Sequence, residues 1–562
     1  MMRYFDRRIL LLSVFAVAAA GPDSIAFADE PAVEPVTTFT VPERPESVPS
    51  DEELERSGAV VGNIVLKKFD VFDTSLPSEN KALFRLANRL HVETRDSVIL
   101  NQLLLQRGQP YSSRLVAESE RILRDERYLY DARIVPIHYA DGVVDIAVST
   151  RDVWTLNLGF SGSRSGGQNK TDLEIEELNL LGTGSRVGLR FRSDVDRDST
   201  ILQYQDKHLG SSWVSMSLLY ADSSDGNGTG VVLERPFYAL DTRWAAGVSY
   251  FDEESIESIY DLGDKITEYG QNTRDYRVYG GLSKGWQNGW VKRWTAGIGY
   301  ESKEFAGTAD EPVPLLMPAN RELVYPFVAL EIIEDKYRTV ENHDQIDRTE
   351  DFNLGDRYKF ELGWAAKSFG SDRDALLYKL TATRGWGKAD DSMLLASAYA
   401  SGRFEGSNNA NSLVGMNFRY YHQQSEKSLF YASLGFDVSH DLDVDNPLLL
   451  GGENGLRGFP FRYQSGNARS LLTLEQRYYT DWYPFRLFRV GGAIFVDVGR
   501  AWGTNPLGGE NLGVLADAGV GLRLGSTRAG KGKVVHIDIA FPINADPSLD
   551  SVQFIIEGKR GF

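Results

Sequence analysis

From Arg151 to the C-terminus, apolar residues recur at every second position. Trp154, Leu156, Leu158 and Phe160 alternate with Thr155, Asn157 and Gly159. Val187, Leu189 and Phe191 alternate with Arg186, Gly188, Arg190 and Arg192, and Val535, Ile537, Ile539 and Phe541 with His536, Asp538 and Ala540. Period two sends neighbouring side chains to opposite faces of a strand. Arginine at alternate positions cannot face lipid, so these strands have one wet face. Aromatic residues close many of the segments, among them Trp213, Tyr220, Tyr250, Trp290, Tyr300, Tyr420 and Trp502, as an interfacial girdle requires. A soluble sandwich also alternates, but about 410 residues with no second domain signal would make a very large one. The pattern predicts a membrane all-β fold, an antiparallel transmembrane barrel over 151–562. About twenty alternating windows can be counted, and strands of 9–11 residues fit the length. Mean hydropathy is −0.31, which does not oppose a barrel whose lumen is polar.

The first 28 residues read as an export signal. Arg3, Arg7 and Arg8 precede a short apolar run at 9–20, and Ala26-Phe27-Ala28 fits a small-x-small cleavage site. The run is too short for a transmembrane helix. Residues 29–58, with Pro31, Pro35, Pro42, Pro45 and Pro49 among acids, are expected to form an extended linker. Zero Cys removes disulfides and thiol chemistry and suits passage through an oxidising compartment. The net charge of −18 argues against nucleic-acid binding.

Residues 59–150 change to an α/β pattern. Ile64, Leu66, Phe69 and Val71 suggest a strand, and 97–106 a helix stopped by Gly108 and Pro110. Ser112 or Ser113 caps a second helix, in which Leu115 with Ile122 and Val116 with Leu123 repeat one heptad apart. Val135, Ile137 and Tyr139 then alternate, Asp141-Gly142 turns the chain, and Val144, Ile146 and Val148 alternate back. Together with Gly108-Gln-Pro-Tyr-Ser and Tyr128-Leu-Tyr-Asp-Ala-Arg-Ile, this order resembles a POTRA domain. The resemblance implies a module that binds unfolded or partner polypeptides by adding a strand to a sheet edge.

Between two barrel windows lies 448–466, LLLGGENGLRGFPFRYQSG, too rich in Gly and large side chains for a plain surface loop. At its centre stand Leu456, Arg457, Gly458 and Phe459. Gly permits close backbone approach, and Arg supplies a permanently charged fork that needs a partner once sequestered. Some forty residues on, a strand-like run contains Phe495, Asp497 and Gly499. Leu-Arg-Gly-Phe followed by Phe-x-Asp-x-Gly resembles the BamA/TamA superfamily, which includes protein-insertion and two-partner-secretion barrels. The resemblance implies sixteen strands, fewer than the window count, and a loop that enters the lumen so that Arg457 meets Asp497 on the inner wall. Glu475, on the face shared with Thr473 and Arg477, is a second candidate partner. Five windows follow the loop, which places it at the extracellular mouth if the chain ends on the periplasmic side. The polar stretches 309–321 and 337–351 are expected outside too.

Phe554 and Ile556 alternate toward the terminal aromatic Phe562, resembling the signal by which outer-membrane barrels are recognised for their own insertion. The seven His are scattered, and no nucleophile elbow, P-loop or dinucleotide fingerprint is found. Asp194-x-Asp196-x-Asp198 and Asp441-x-Asp443-x-Asp445 lack the later Gly and Glu of a calcium loop and read as solvated acidic turns. No catalytic residues, metal or cofactor are expected. The resemblance implies an outer-membrane factor that inserts or transports polypeptides. The alternatives are a passive or lipid-related pore, or a surface structural protein.

Overall fold

The computed structural model describes residues 42–165, 168–388, 392–504, 512–530, 534–544 and 549–559. The expected signal peptide, the first part of the linker and Phe562 lie outside the described residues.

The N-terminal module runs α1 (Asp51–Arg56), β1 (Val60–Phe69), α2 (Ala82–Leu90), α3 (Asp96–Leu100), α4 (Ser113–Asp125), β2 (Leu129–Ala140) and β3 (Val143–Asp152). Its sheet order is β1–β3–β2, with β1 parallel and β2 antiparallel to β3. Asp141 and Gly142 both take positive φ in the β2–β3 turn, which the hairpin twist demands. Leu54, Ile99, Leu123, Leu129 and Ile146 are fully buried at the centre.

Three details differ from the sequence reading. The end of the expected linker is folded: Ser50 and Glu53 form a capping box on α1, and Val48 and Leu54 join the core. The helix expected at 97–106 is the short α3, beginning at Asp96. And α2 is an additional helix, with no side-chain cap to announce it.

Among the described residues, twenty antiparallel strands close a barrel, from Leu156–Ser165 to Gln553–Lys559. The number is that of the alternating windows, not the sixteen implied by resemblance. The early segments Asp198–Asp206, Ser215–Ser223 and Gly226–Arg235 are regular members of the wall. Leu158, Leu282, Trp294, Ile298 and Trp364 point outward and are exposed. The inward residues between them make ion pairs: Arg277 with Glu361, Arg293 with Glu331, Arg190 with Asp172. A wall closed on itself pairs its strands with one another, and this outer surface is the belt that a bilayer core requires.

Strand direction sorts the connections between two mouths. The module stands at one of them, where polar residues of α4 engage two of its connections. Arg114 pairs with Asp241, Glu118 accepts from the Leu240 N–H, Arg121 stacks on Tyr337, and Arg124 meets Asp351 in a fork at 2.8 Å twice. The segment 337–353 is therefore on the module side, not outside as its polarity suggested. It forms a hairpin, Tyr337–Glu341 against Thr349–Asn353, that reaches the lumen wall at Tyr421, Arg477 and Tyr479.

Members of both acidic triplets stand at the far mouth as counter-ions, while Asp198 and Asp441 are exposed as solvated turns require. Asp196 binds Arg462 and the Tyr260 hydroxyl, Asp443 binds Arg403, and Asp445 binds Lys303 and Arg321.

Candidate functional site

The loop 448–466 enters the barrel from the far mouth. A short ladder pairs Leu448–Leu450 with Gln464–Gly466 at its base, and Gly455 turns the tip with φ of 114°. Leu456 and Phe459 are fully buried with Tyr463 and Leu515. Between them Arg457 points at the inner wall.

Arg457 Nε donates to Asp497 Oδ2 at 2.7 Å and Nη2 to Asp497 Oδ1 at 3.0 Å, while Nη1 donates to Glu475 Oε1 at 2.9 Å. The guanidinium also lies 3.4 Å over the Phe495 ring. One planar cation thus fills a bidentate carboxylate, a second carboxylate and an aromatic face, a combination that an ammonium cannot reproduce. Thr473 donates to Asp497 at 2.7 Å, fixing the carboxylate from its other side.

The glycines have steric work here. A Cβ on Gly499 would stand 2.6 Å from Leu456 Cδ1, and one on Gly458 2.5 Å from Asp517 Cβ. At Gly458 the close approach lets the backbone N–H donate to Asp517 Oδ2 at 2.9 Å. Leu456, Arg457, Gly458, Phe459, Glu475, Asp497 and Gly499 therefore meet in one buried cluster. Phe554 is on the lipid-facing side of the last strand, with Ile556 half-buried beside it.

The sequence reading missed several members. Asp517 stands opposite Asp497 in the next strand and Asp538 is 3.6 Å from Arg457, itself paired with Arg523. Counting two residues at a time along the neighbouring windows would have placed both on the lumen face. Arg477 is the least expected. Its Nε donates to Glu475 Oε2 at 3.0 Å, and its Nη1 to the carbonyl of His343 at 2.9 Å. His343 belongs to the module-side hairpin, so Glu475 is bonded on one oxygen by the far-mouth loop and on the other by the arginine that holds the hairpin. Beside the loop, a cavity of about 400 Å³ is lined by Arg457, Arg469, Glu475, Arg477 and His536.

The hairpin tip is organised by Glu350, whose carboxylate accepts the N–H groups of His343, Asp344 and Gln345 at 2.9, 3.0 and 3.1 Å. Burial, with Asp344 nearby, nevertheless pushes its carboxyl up to about 8.

No family model matches this chain, and no curated protein matches its sequence. Solved structures do. CdiB from Escherichia coli has a TM-score of 0.47 at 15% identity, covering 89% of this chain and 76% of that one. CdiB from Acinetobacter baumannii has 0.45 at 12%, covering 89% and 74%. BamA from Haemophilus ducreyi lacking POTRA domains 1–3 has 0.41 at 15%, covering 89% and 84%. The likeness is in the fold. A closed barrel with this lipid-facing belt and polar, ion-paired lumen belongs in the outer membrane.

Proposed function

We propose that the protein inserts polypeptides into the outer membrane, its N-terminal module serving as a POTRA-like domain in the periplasm. The observation that carries this reading is the barrel's closing seam. Among the described residues, the first and last strands pair only where Gly162, Ser163 and Arg164 face Ile556, Ile555 and Phe554. The same first strand pairs over its whole length, Leu156 to Ser165, with its other neighbour. Each backbone hydrogen bond adds about 0.5–1.5 kcal/mol net, so a short seam is the cheapest place to open the wall. Opened edges present unpaired N–H and C=O groups on which a client strand can template.

The filled lumen supports the same reading over a passive pore, since loop and hairpin occupy it from both ends. Edge chemistry also bears on where the module could take a client. The outer edge of β2 is already engaged: Arg124 donates to the Ala132 carbonyl, Glu120 accepts from the Ile134 N–H, and Pro136 has no N–H to offer.

Because the chain has no Cys, a Ser163→Cys/Ile555→Cys pair would place the only two thiols across the seam. Oxidation should abolish insertion of other barrels while the protein stays folded, and reductant should restore it. Undiminished insertion with the seam crosslinked would refute the reading.

A further inference from the structure

Helix α2 leaves three leucines in the open. Leu83, Leu86 and Leu90 recur at i, i+3 and i+7, one face of a helix, and are 69%, 47% and 63% exposed. The helix is anchored on a different face. Phe84 stacks on Phe72 at 4.2 Å, and the Asn88 side chain brackets the Phe72 backbone. Arg85 and Arg89, also exposed, flank the leucine stripe.

Both ends of this segment are fastened to the foot of the barrel wall. Before α2, Glu79 pairs with Arg528, in the turn that follows the strand Leu515–Ser526. After it, the Arg95 N–H donates to the Gly182 carbonyl and its Nε to the Leu181 carbonyl, each at 3.1 Å, in the turn before Arg186–Ser193. The strands between those two turns are the last and first of the barrel with their neighbours, so α2 runs beneath the seam. Other apolar residues at the same foot are exposed, Leu181, Trp482 and Phe485 among them. They stand in the turns at the foot of the lipid-facing wall, where Phe72 and Phe84 also pack with Trp154 and Leu487.

We propose that α2 lies in the interface of the leaflet at the module-side mouth, with Leu83, Leu86 and Leu90 entering the acyl boundary. Arg85 and Arg89 then meet the phosphates of anionic phospholipid. An exposed apolar stripe beside cations is the composition of a helix lying in the membrane plane, and its attachment to the foot of the lipid-facing wall, with Arg85 and Arg89 alongside, points to anionic lipid as what covers it. The helix thus fixes the height of the module against the bilayer beside the seam.

The absence of Cys makes Leu86→Cys a single attachment site for an environment-sensitive fluorophore, with Val143→Cys, at the β2–β3 turn, as the reference. The full chain is refolded into phosphatidylethanolamine/phosphatidylglycerol vesicles, and heat-modifiable migration verifies the barrel. The label at 86 should be blue-shifted, quenched by phospholipid spin-labelled near the headgroup and shielded from aqueous iodide, whereas the label at 143 should be iodide-accessible. Equal iodide access at the two positions would overturn the proposal. So would a blue shift without lipid quenching, which means a polypeptide covers the stripe. Shielding lost on deletion of residues 29–41 would assign that cover to the chain's own N-terminal segment and overturn it equally.

Discussion

Arg457→Ala tests the lumen lock most directly. The substitution removes three charge-assisted hydrogen bonds and a cation on Phe495, leaves Asp497 buried without its bidentate partner, and leaves Glu475 to Arg477. Breaking a buried ion pair on one side costs about 3–5 kcal/mol. A loss of that size lowers the ratio of docked to released loop by roughly two to four orders of magnitude. The loop keeps the Gly458–Asp517 bond, the burial of Leu456 and Phe459, and the Arg462–Asp196 pair. Release should therefore be frequent rather than complete. The wall ladders do not involve the Arg457 side chain, so the barrel should melt close to wild type. Single-channel recording in planar bilayers should show new, fluctuating openings, and a protease outside should cut within 448–466. Arg457→Lys should recover part of the effect, since one ammonium cannot span both carboxylates and the ring. Adding Asp497→Asn to Arg457→Ala should recover part of the docking, because the orphaned charge is gone, while Glu475 is kept for Arg477. A quiet, protease-resistant Arg457→Ala barrel would refute the argument that this cluster holds the loop.

External protease on intact cells should cut the loop after Trp290–Ala306, which opens on the far mouth, and spare 337–353; cleavage in the hairpin would invert the topology. Arg124→Ala should loosen the hairpin from α4 by about 1.5–3 kcal/mol, the range for hydrogen bonds to charged groups, and raise deuterium exchange in 337–353. Unchanged exchange would mean the fork with Asp351 is idle. The Glu350 carboxyl, at about 8 in place and 4.5 when free, holds a proton in the docked hairpin that a released one gives up. Docking should be strongest below 4.5, weaken as pH rises to about 8 and level off beyond, and Glu350→Gln should flatten that slope. Deleting Phe562, the terminal aromatic of the sequence, should leave a protease-sensitive chain outside the membrane; normal levels of heat-modifiable barrel would make the terminal signal decorative.

The legible parts of this fold are those where one physical demand leaves few residue types to meet it. Lipid on one face and water on the other forces period two, so the wall could be read window by window, including the five segments that follow the loop. Arg457 could be read because a cation between glycines and an aromatic has little use in solvent, and Asp497 because a sequestered cation needs a carboxylate. The hairpin was misplaced because its polarity looked like solvent exposure. Its polar groups are in fact satisfied within the mouth, where Arg477 and Tyr479 donate to the carbonyls of His343 and Asn342. Backbone acceptors of that kind leave no trace in side-chain composition. Helix α2 escaped because it lacks a capping residue and a glycine stop, and because most of its apolar residues face outward rather than into the core. The Asp triplets misled for a different reason: whether an acidic turn is solvated or paired depends on arginines far away in sequence, as Arg462 is from Asp196.

The sharing of Glu475 has a thermodynamic corollary. One carboxylate serves Arg457 on the loop and Arg477 under the hairpin, and Asp351 ties the same hairpin to α4. Anything that displaces α4 withdraws a support from the hairpin, frees Arg477 to shift, and changes the field that Arg457 feels. By reciprocity, pulling the loop from outside must weaken the hold of the module on the hairpin by the same free energy. The two mouths of the barrel are then linked through a single carboxylate, so a displacement of α4 at one is felt by the loop at the other.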